Sequence, residues 1–184
     1  MSRLKEAYKS KIKGELKSKF EYPNPMMIPK LVKIVINMGC AEAAKDKNVL
    51  ADCVKEMALL SGQHPIVCKA RKSISNFKLR EGTPIGVKVT LRAEKMWDFL
   101  ERLLHWYMPR IRDFRGFNAK GDSRGAYTLG ITDQQIFAEL PLDEVKRVQG
   151  MNITFVTTAK NDEETIELLR LLGIPFKGMT VVVN

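Results

Sequence analysis

The stretch KARKSISNFKLREGTPIGVKVTLR fills residues 69–92. In its second half Ile85, Val87, Val89 and Leu91 alternate strictly with Gly86, Lys88, Thr90 and Arg92. Successive side chains of a strand point to opposite faces. A period of two therefore predicts one apolar face on a core and one polar, basic face turned outward. The first half, 69–80, holds five basic residues and no acid, and reaches the strand through the turn Glu81-Gly82-Thr83-Pro84. Five like charges without counter-charges are costly to bury, so 69–84 is expected to form a projecting basic loop.

The same alternation recurs on either side. Within Leu31–Met38, Ile34, Ile36 and Met38 point one way, and Lys33, Val35 and Asn37 the other. Met151, Ile153 and Phe155 alternate with Asn152, Thr154 and Val156 in a last long strand. Tyr127, Leu129 and Ile131 mark another strand, and Ile66–Cys68 a short one. Helical spacing appears between them. Residues 47–61 carry the stripe Leu50, Val54, Met57 and Leu60/Ser61, with Asp46 as N-cap and Gly62 as stop. A helix over about 94–107 sets Trp97, Leu100, Leu104 and Tyr107 on one side. Asp162 is expected to cap a helix that ends at Leu172, before Gly173 and Pro175. Segments 110–124 and 133–150 read as irregular or as turns. In the N-terminal segment 1–22, Leu4, Tyr8, Ile12, Leu16 and Phe20 share one face of a basic helix. Pro23, Pro25 and Pro29 then impose an extended link.

These elements predict an α+β fold in one domain, 1–184. It is a two-layer sandwich, a mainly antiparallel sheet with helices on one face and a basic N-terminal helix in front. The second half, β(85–92)–α–β–β–α, approaches a ferredoxin-like split. The open sheet face is expected to present Lys33, Asn37, Lys88, Thr90, Arg92, Asn152 and Thr154. That is a platform for hydrogen bonds to phosphate and sugar.

The chain has 184 residues, 45% of them hydrophobic and 28% charged, and a net charge of +10. This is globular composition, which excludes a disordered or collagen-like chain. No apolar run is long enough to span a bilayer. The charge is not spread evenly. Segments 1–20 and 69–80 each carry +5 and 110–124 carries +3, so the other 137 residues carry net −3. Localised positive charge is what contact with a phosphate backbone requires. A solvated face beside an acidic partner is the plainer alternative.

Enzymatic chemistry finds no support. Of the two histidines, His105 lies between Leu104 and Trp106, where packing or capping is expected, and His64 sits in a turn without an acidic neighbour. Segment 116–123 imitates the glycine spacing of a phosphate-binding loop, but Asp122 stands where that loop needs Lys. Cys40, Cys53 and Cys68 form no CxxC pair, so they read as small buried hydrophobes in a reducing compartment. No metal or other cofactor is expected. There is no secretory pattern, and Glu6, Glu15 and Glu21 argue against an organellar presequence, which leaves the cytoplasm.

Several strings resemble a known family. They are Leu60-Ser61-Gly62-Gln63, KARKSISNFKLREGTPIGVKVTLR (69–92) and PRIRDFRGF (109–117), joined by NMG (37–39), RAEKMWDFLERL (92–103) and TTAKNDEE (157–164). They closely resemble the bacterial large-subunit ribosomal protein five, the 5S-rRNA-binding family, over about residues 2–177. The resemblance implies an α+β sandwich with its sheet against RNA, anchoring 5S rRNA in the central protuberance of the large ribosomal subunit. It also implies 23S-type rRNA, P-site tRNA, other 5S-rRNA-binding ribosomal proteins and small-subunit ribosomal protein thirteen as partners, the last through an intersubunit bridge around 110–147. By the resemblance Asn37, Gln63, Thr90 and Arg92 are 5S-rRNA contacts. Lys33 and Lys88 join them from the same sheet face. Lys69, Arg71, Lys72, Ser73, Phe77, Lys78 and Arg80 resemble the tRNA-facing loop. The tail 177–184 extends past the usual end of the family, and Thr180–Val183 is strand-like.

Two readings from other classes are open at this point. An RNA nuclease would need a carboxylate cluster or a His pair among the basic loops, and they offer only Asp113 and Asp122. A membrane-surface protein would use the apolar stripe of helix 1–20.

Overall fold

A computed structural model describes residues 2–44, 47–112, 114–140 and 147–178. Five strands, β1 (Leu31–Gly39), β2 (Ile66–Lys69), β3 (Pro84–Leu91), β4 (Ala126–Ile131) and β5 (Met151–Thr157), form one antiparallel sheet in the order β2-β3-β1-β5-β4. The helices are α1 (Arg3–Ala7) and α2 (Lys13–Phe20), joined by the π-helical turn Tyr8–Ile12, then α3 (Lys47–Ser61), α4 (Ala93–Arg102) and α5 (Asp162–Leu171). This is the expected α+β fold with its N-terminal helix. β1 stands between β3 and β5, so the second half of the chain shares its sheet with the first strand.

The chain divides into two compact units. One comprises Val35–Leu91 and Gly130–Ile153. In it α3 packs on β3, and Ile36, Met38, Met57, Val87, Val89 and Leu91 are buried. The inward stripe of α3 runs through Cys53, Met57 and Leu60, whereas Val54 is only half-buried. Of the expected stripe Met57, Leu60 and Ser61 are buried and Leu50 and Val54 half-buried, while Cys53 takes an inward place beside Met57. Gly62, at φ +62°, ends the helix as expected, and its amide donates to Ala58 O at 2.9 Å. The proposed cap Asp46 lies outside the described residues.

The other unit comprises Met1–Ile34, Arg92–Leu129 and Thr154–Asn184. Its N-terminal helix buries Leu4, Ile12 and Leu16 and half-buries Tyr8 and Phe20, which bears out the stripe. Positions four apart drift about 40° per step round an α-helix, since 3.6 residues make a turn. The wider π turn at Tyr8–Ile12 takes up part of that drift and keeps the row on one face. The helix is tied down by Lys5–Glu94, by Lys19–Glu167 at 3.0 Å and by the Tyr8 hydroxyl, which donates to Pro29 O at 2.9 Å. Lys9 and Lys17 are exposed. With its apolar row buried, this helix has no face to lay on a bilayer, and among the described residues no helix is long and apolar enough to cross one.

Three local expectations change. Beyond Arg102, α4 continues as a π turn, Leu103–Tyr107, and a 3-10 turn, Met108–Arg110. The wider turn puts Leu103, not Leu104, fully inside and leaves His105 exposed rather than packed. Asn161, not Asp162, holds the cap position of α5, and the helix ends at Leu171. Asp162 instead accepts from the Ser123 amide at 2.7 Å.

Candidate nucleic-acid interface

On β3, Val87, Val89 and Leu91 are buried, Lys88 is exposed and Thr90 is half-buried. On β1, Ile36 and Met38 are buried and Asn37 is exposed. The two strands lie close: the Cys40 amide donates to Ile85 O at 2.9 Å. A Cβ on Gly86 would stand 2.8 Å from Met38 O, so only glycine permits this approach. Gln63, in the turn after α3, donates from Nε2 to Thr90 O at 3.3 Å and from its amide to Ser61 Oγ at 3.2 Å. The Val35–Leu91 segment therefore gathers Asn37, Gln63, Lys88 and Thr90 on or beside one open sheet surface. Lys33 and Arg92 continue the same two alternations within the other unit. Lys33 is half-buried on β1. Arg92 is exposed just past β3, with extended backbone at the cap position of α4.

One member of this surface is not polar. β2 pairs antiparallel with β3, Ile66 opposite Lys88 and Cys68 opposite Gly86. Directly opposed residues share a face. Ile66, 64% exposed, accordingly stands beside Lys88. A strand of three residues, 66–68, shows no alternation that fixes a face, so the sequence assigns Ile66 no role.

The basic segment is a built hairpin rather than an irregular loop. At its neck the Ala70 amide donates to Thr83 O at 2.8 Å and the Gly82 amide to Ala70 O at 3.0 Å. Ser73 Oγ accepts from the Glu81 amide at 2.9 Å in the middle. Ile74 and Leu79 exchange two backbone bonds, of 2.9 and 3.1 Å, below the tip Ser75–Phe77. Lys78 closes the tip in the left-handed region at φ +51°. Residues 71–78 and Arg80 are all exposed, as is Lys69 at the end of β2. Phe77 is 79% exposed and does not fold back onto the body. Among the described residues none of Lys69, Arg71, Lys72, Lys78 and Arg80 has an ion-pair partner. Hydrogen bonds along the backbone shape the hairpin while its cations and its aromatic ring point to solvent.

Asp122 accepts from the amides of Ala126 and Arg124, each at 2.9 Å, and these bonds hold its carboxylate below the usual range. These bonds give Oδ1 of Asp122 a structural role in the turn. Asp113 lies outside the described residues. Among the described residues no group of three metal-ligating side chains occurs. Segment 110–147 exposes Arg110, Arg115, Lys120 and Arg124, and 141–146 lies outside the described residues. Within it the buried Gln134 donates from Nε2 to Arg147 O at 2.6 Å and accepts from the Gln149 amide. Gln149 in turn donates to Gly39 O at 2.9 Å, at the end of β1. No sequence signal marks these two glutamines, since a buried amide in a turn-rich stretch looks like any surface Gln.

The chain as a whole is similar to known proteins. The family model for ribosomal protein L5 matches residues 24–80, and the model for the C-terminus of the same ribosomal family matches 84–176. The large ribosomal subunit protein uL5 of Protochlamydia amoebophila (strain UWE25) is 64% identical over 183 residues, covering 100% of this chain and 99% of that protein. Its counterpart from Chlamydia abortus is 59% identical over 177 residues, covering 96% of this chain and 98% of that protein. On both grounds the chain belongs to the ribosomal protein L5 family.

Proposed function

We propose that this chain binds 5S rRNA with the open sheet face and uses its basic hairpin for a second RNA, the P-site tRNA. Its family makes it a structural constituent of the large ribosomal subunit, with rRNA and ribosomal components as partners, and not an enzyme. Its setting is the bacterial cytoplasm. One observation carries the finer reading: two cationic surfaces of different construction adjoin in sequence. The first is a rigid platform of Asn37, Gln63, Lys88 and Thr90, extended along its strands by Lys33 and Arg92. Short polar side chains on a fixed sheet suit ribose 2′-hydroxyls and base edges, and the cations suit phosphates. The second is the exposed hairpin of Lys69, Arg71, Lys72, Ser73, Phe77, Lys78 and Arg80, whose ring is free to stack on a base. Attachment of 5S rRNA in the central protuberance, contacts with 23S-type rRNA and other 5S-binding proteins, and a bridge through 110–147 to small-subunit protein thirteen follow from the same reading.

The test is a titration of the full chain with 5S rRNA at several salt concentrations. Phosphate contacts release counterions, so log affinity should fall linearly and steeply with log salt. A flat plot, or equal affinity for an unrelated RNA of the same length, contradicts the reading.

A further inference from the structure

The unit formed by Val35–Leu91 and Gly130–Ile153 also holds a cluster of reactive groups that RNA binding does not use. Cys40 follows β1 directly and Cys53 lies within α3, and both are buried free thiols. The Cys40 thiol donates to Cys53 Sγ at 2.8 Å, and Arg147 Nη2 donates to the same sulfur at 3.2 Å. Arg147 is anchored by Glu42 at 2.6 Å. We propose that Cys40 and Cys53 are a reversible dithiol–disulfide couple, with Cys53 the attacking sulfur, hydrogen peroxide the oxidant and a small dithiol the reductant.

The geometry supplies each requirement. The two sulfurs face one another, and one of them meets a guanidinium, the group that stabilises a thiolate. The Cys40 hydrogen bond, followed by Arg147, brings the Cys53 thiol down to about 7, against burial and Glu56, which push it up. Cys40 is pushed the other way, first by the same hydrogen bond and then by burial. The negative charge therefore resides on Cys53. Its thiolate attacks a peroxide oxygen and the O–O bond breaks. Cys53 becomes a sulfenic acid, and the departing hydroxide takes up the proton that Cys53 had released, giving water. Cys40 then attacks the Cys53 sulfur, the S–O bond breaks, and the hydroxyl leaves with the Cys40 proton as a second water. Two thiols lose two electrons and the peroxide gains them. Cys53 is only 2% exposed, which excludes bulky oxidants and favours the internal pair. The bond fastens the exit of β1, three residues past Asn37, to α3.

Reduced full-length chain treated with hydrogen peroxide, unfolded, alkylated and mapped by peptide mass tests this directly. The expected product is a Cys40–Cys53 linked peptide lacking two hydrogens, with Cys68 still alkylated and both thiols recovered by dithiothreitol. In Cys40→Ser, dimedone should trap a sulfenic acid on Cys53; in Cys53→Ser, Cys40 should remain unlabelled. Circular dichroism confirms that each variant is folded, and the wild-type mapping stands without them. The proposal is overturned if Cys40 and Cys53 stay alkylatable under conditions that oxidise Cys68. It is equally overturned if they oxidise singly to sulfinic acids, or if dimedone labels Cys40 in the Cys53→Ser chain.

Discussion

The sheet platform and the basic hairpin carry the same kind of charge but are held in opposite ways. Each outward strand residue of the platform is placed by a buried neighbour. Lys88 and Thr90 cannot turn inward because Val87, Val89 and Leu91 fill the core. A one-residue slip would exchange the two sets, so register and recognition are fixed together. The hairpin has no such lock. Of residues 70–80 only Ala70 is buried, and three tiers of hydrogen bonds give the rest its shape. Platform residues are thus coupled to folding, whereas hairpin residues are changed at little cost to stability. A surface that must hold one RNA permanently suits the first construction, and one that meets an exchanging RNA suits the second.

Gly86→Val should have the largest effect. Its Cβ falls 2.8 Å from the Met38 carbonyl, a backbone atom that cannot rotate away. A loss of about 1–3 kcal/mol in urea unfolding is expected, with 5S-rRNA affinity falling alongside. Unchanged stability would mean that the β1–β3 approach does not lock the platform.

Replacing Arg71, Lys72, Lys78 and Arg80 with Ala sharpens the contrast from the other side. Stability should move by no more than about 0.5 kcal/mol, because these side chains are exposed and, among the described residues, have no ion-pair partner. Subunits should assemble, and P-site tRNA should leave such ribosomes faster. Normal tRNA retention with failed 5S-rRNA incorporation would reverse the two assignments. Phe77→Ala, smaller again, should leave melting unchanged and weaken tRNA retention by about 1 kcal/mol, the scale of one lost stacking contact. Equal retention would show that the ring meets no base.

The two regions also differ in how far the sequence discloses them. Alternation made the platform legible: Asn37, Lys88 and Thr90 fall where a period of two puts them, because one face of each strand is buried. Five uncompensated cations made the exposure of 69–80 legible too. The internal order of the hairpin was not, since it rests on Ala70, Ser73, Gly82 and backbone groups that carry no pattern. Nor were the places where helices depart from 3.6 residues per turn. The π turn after Arg102 moves burial from Leu104 to Leu103, and no single residue announces it. The Cys40–Cys53–Arg147 cluster was invisible for a third reason: its members are brought together from the end of β1, from α3 and from a distant turn.

The most direct measurement sets the two surfaces against each other on one ligand. Full-length wild type, Arg92→Ala and the quadruple hairpin variant are titrated with 5S rRNA at one moderate salt concentration. Arg92→Ala should lose about 1–3 kcal/mol of affinity, the worth of a charge-assisted hydrogen bond. The quadruple variant, although it removes four charges to one, should lose less, through general electrostatics alone. Wild-type affinity for Arg92→Ala together with a collapse in the hairpin variant would contradict the assignment of 5S rRNA to the sheet.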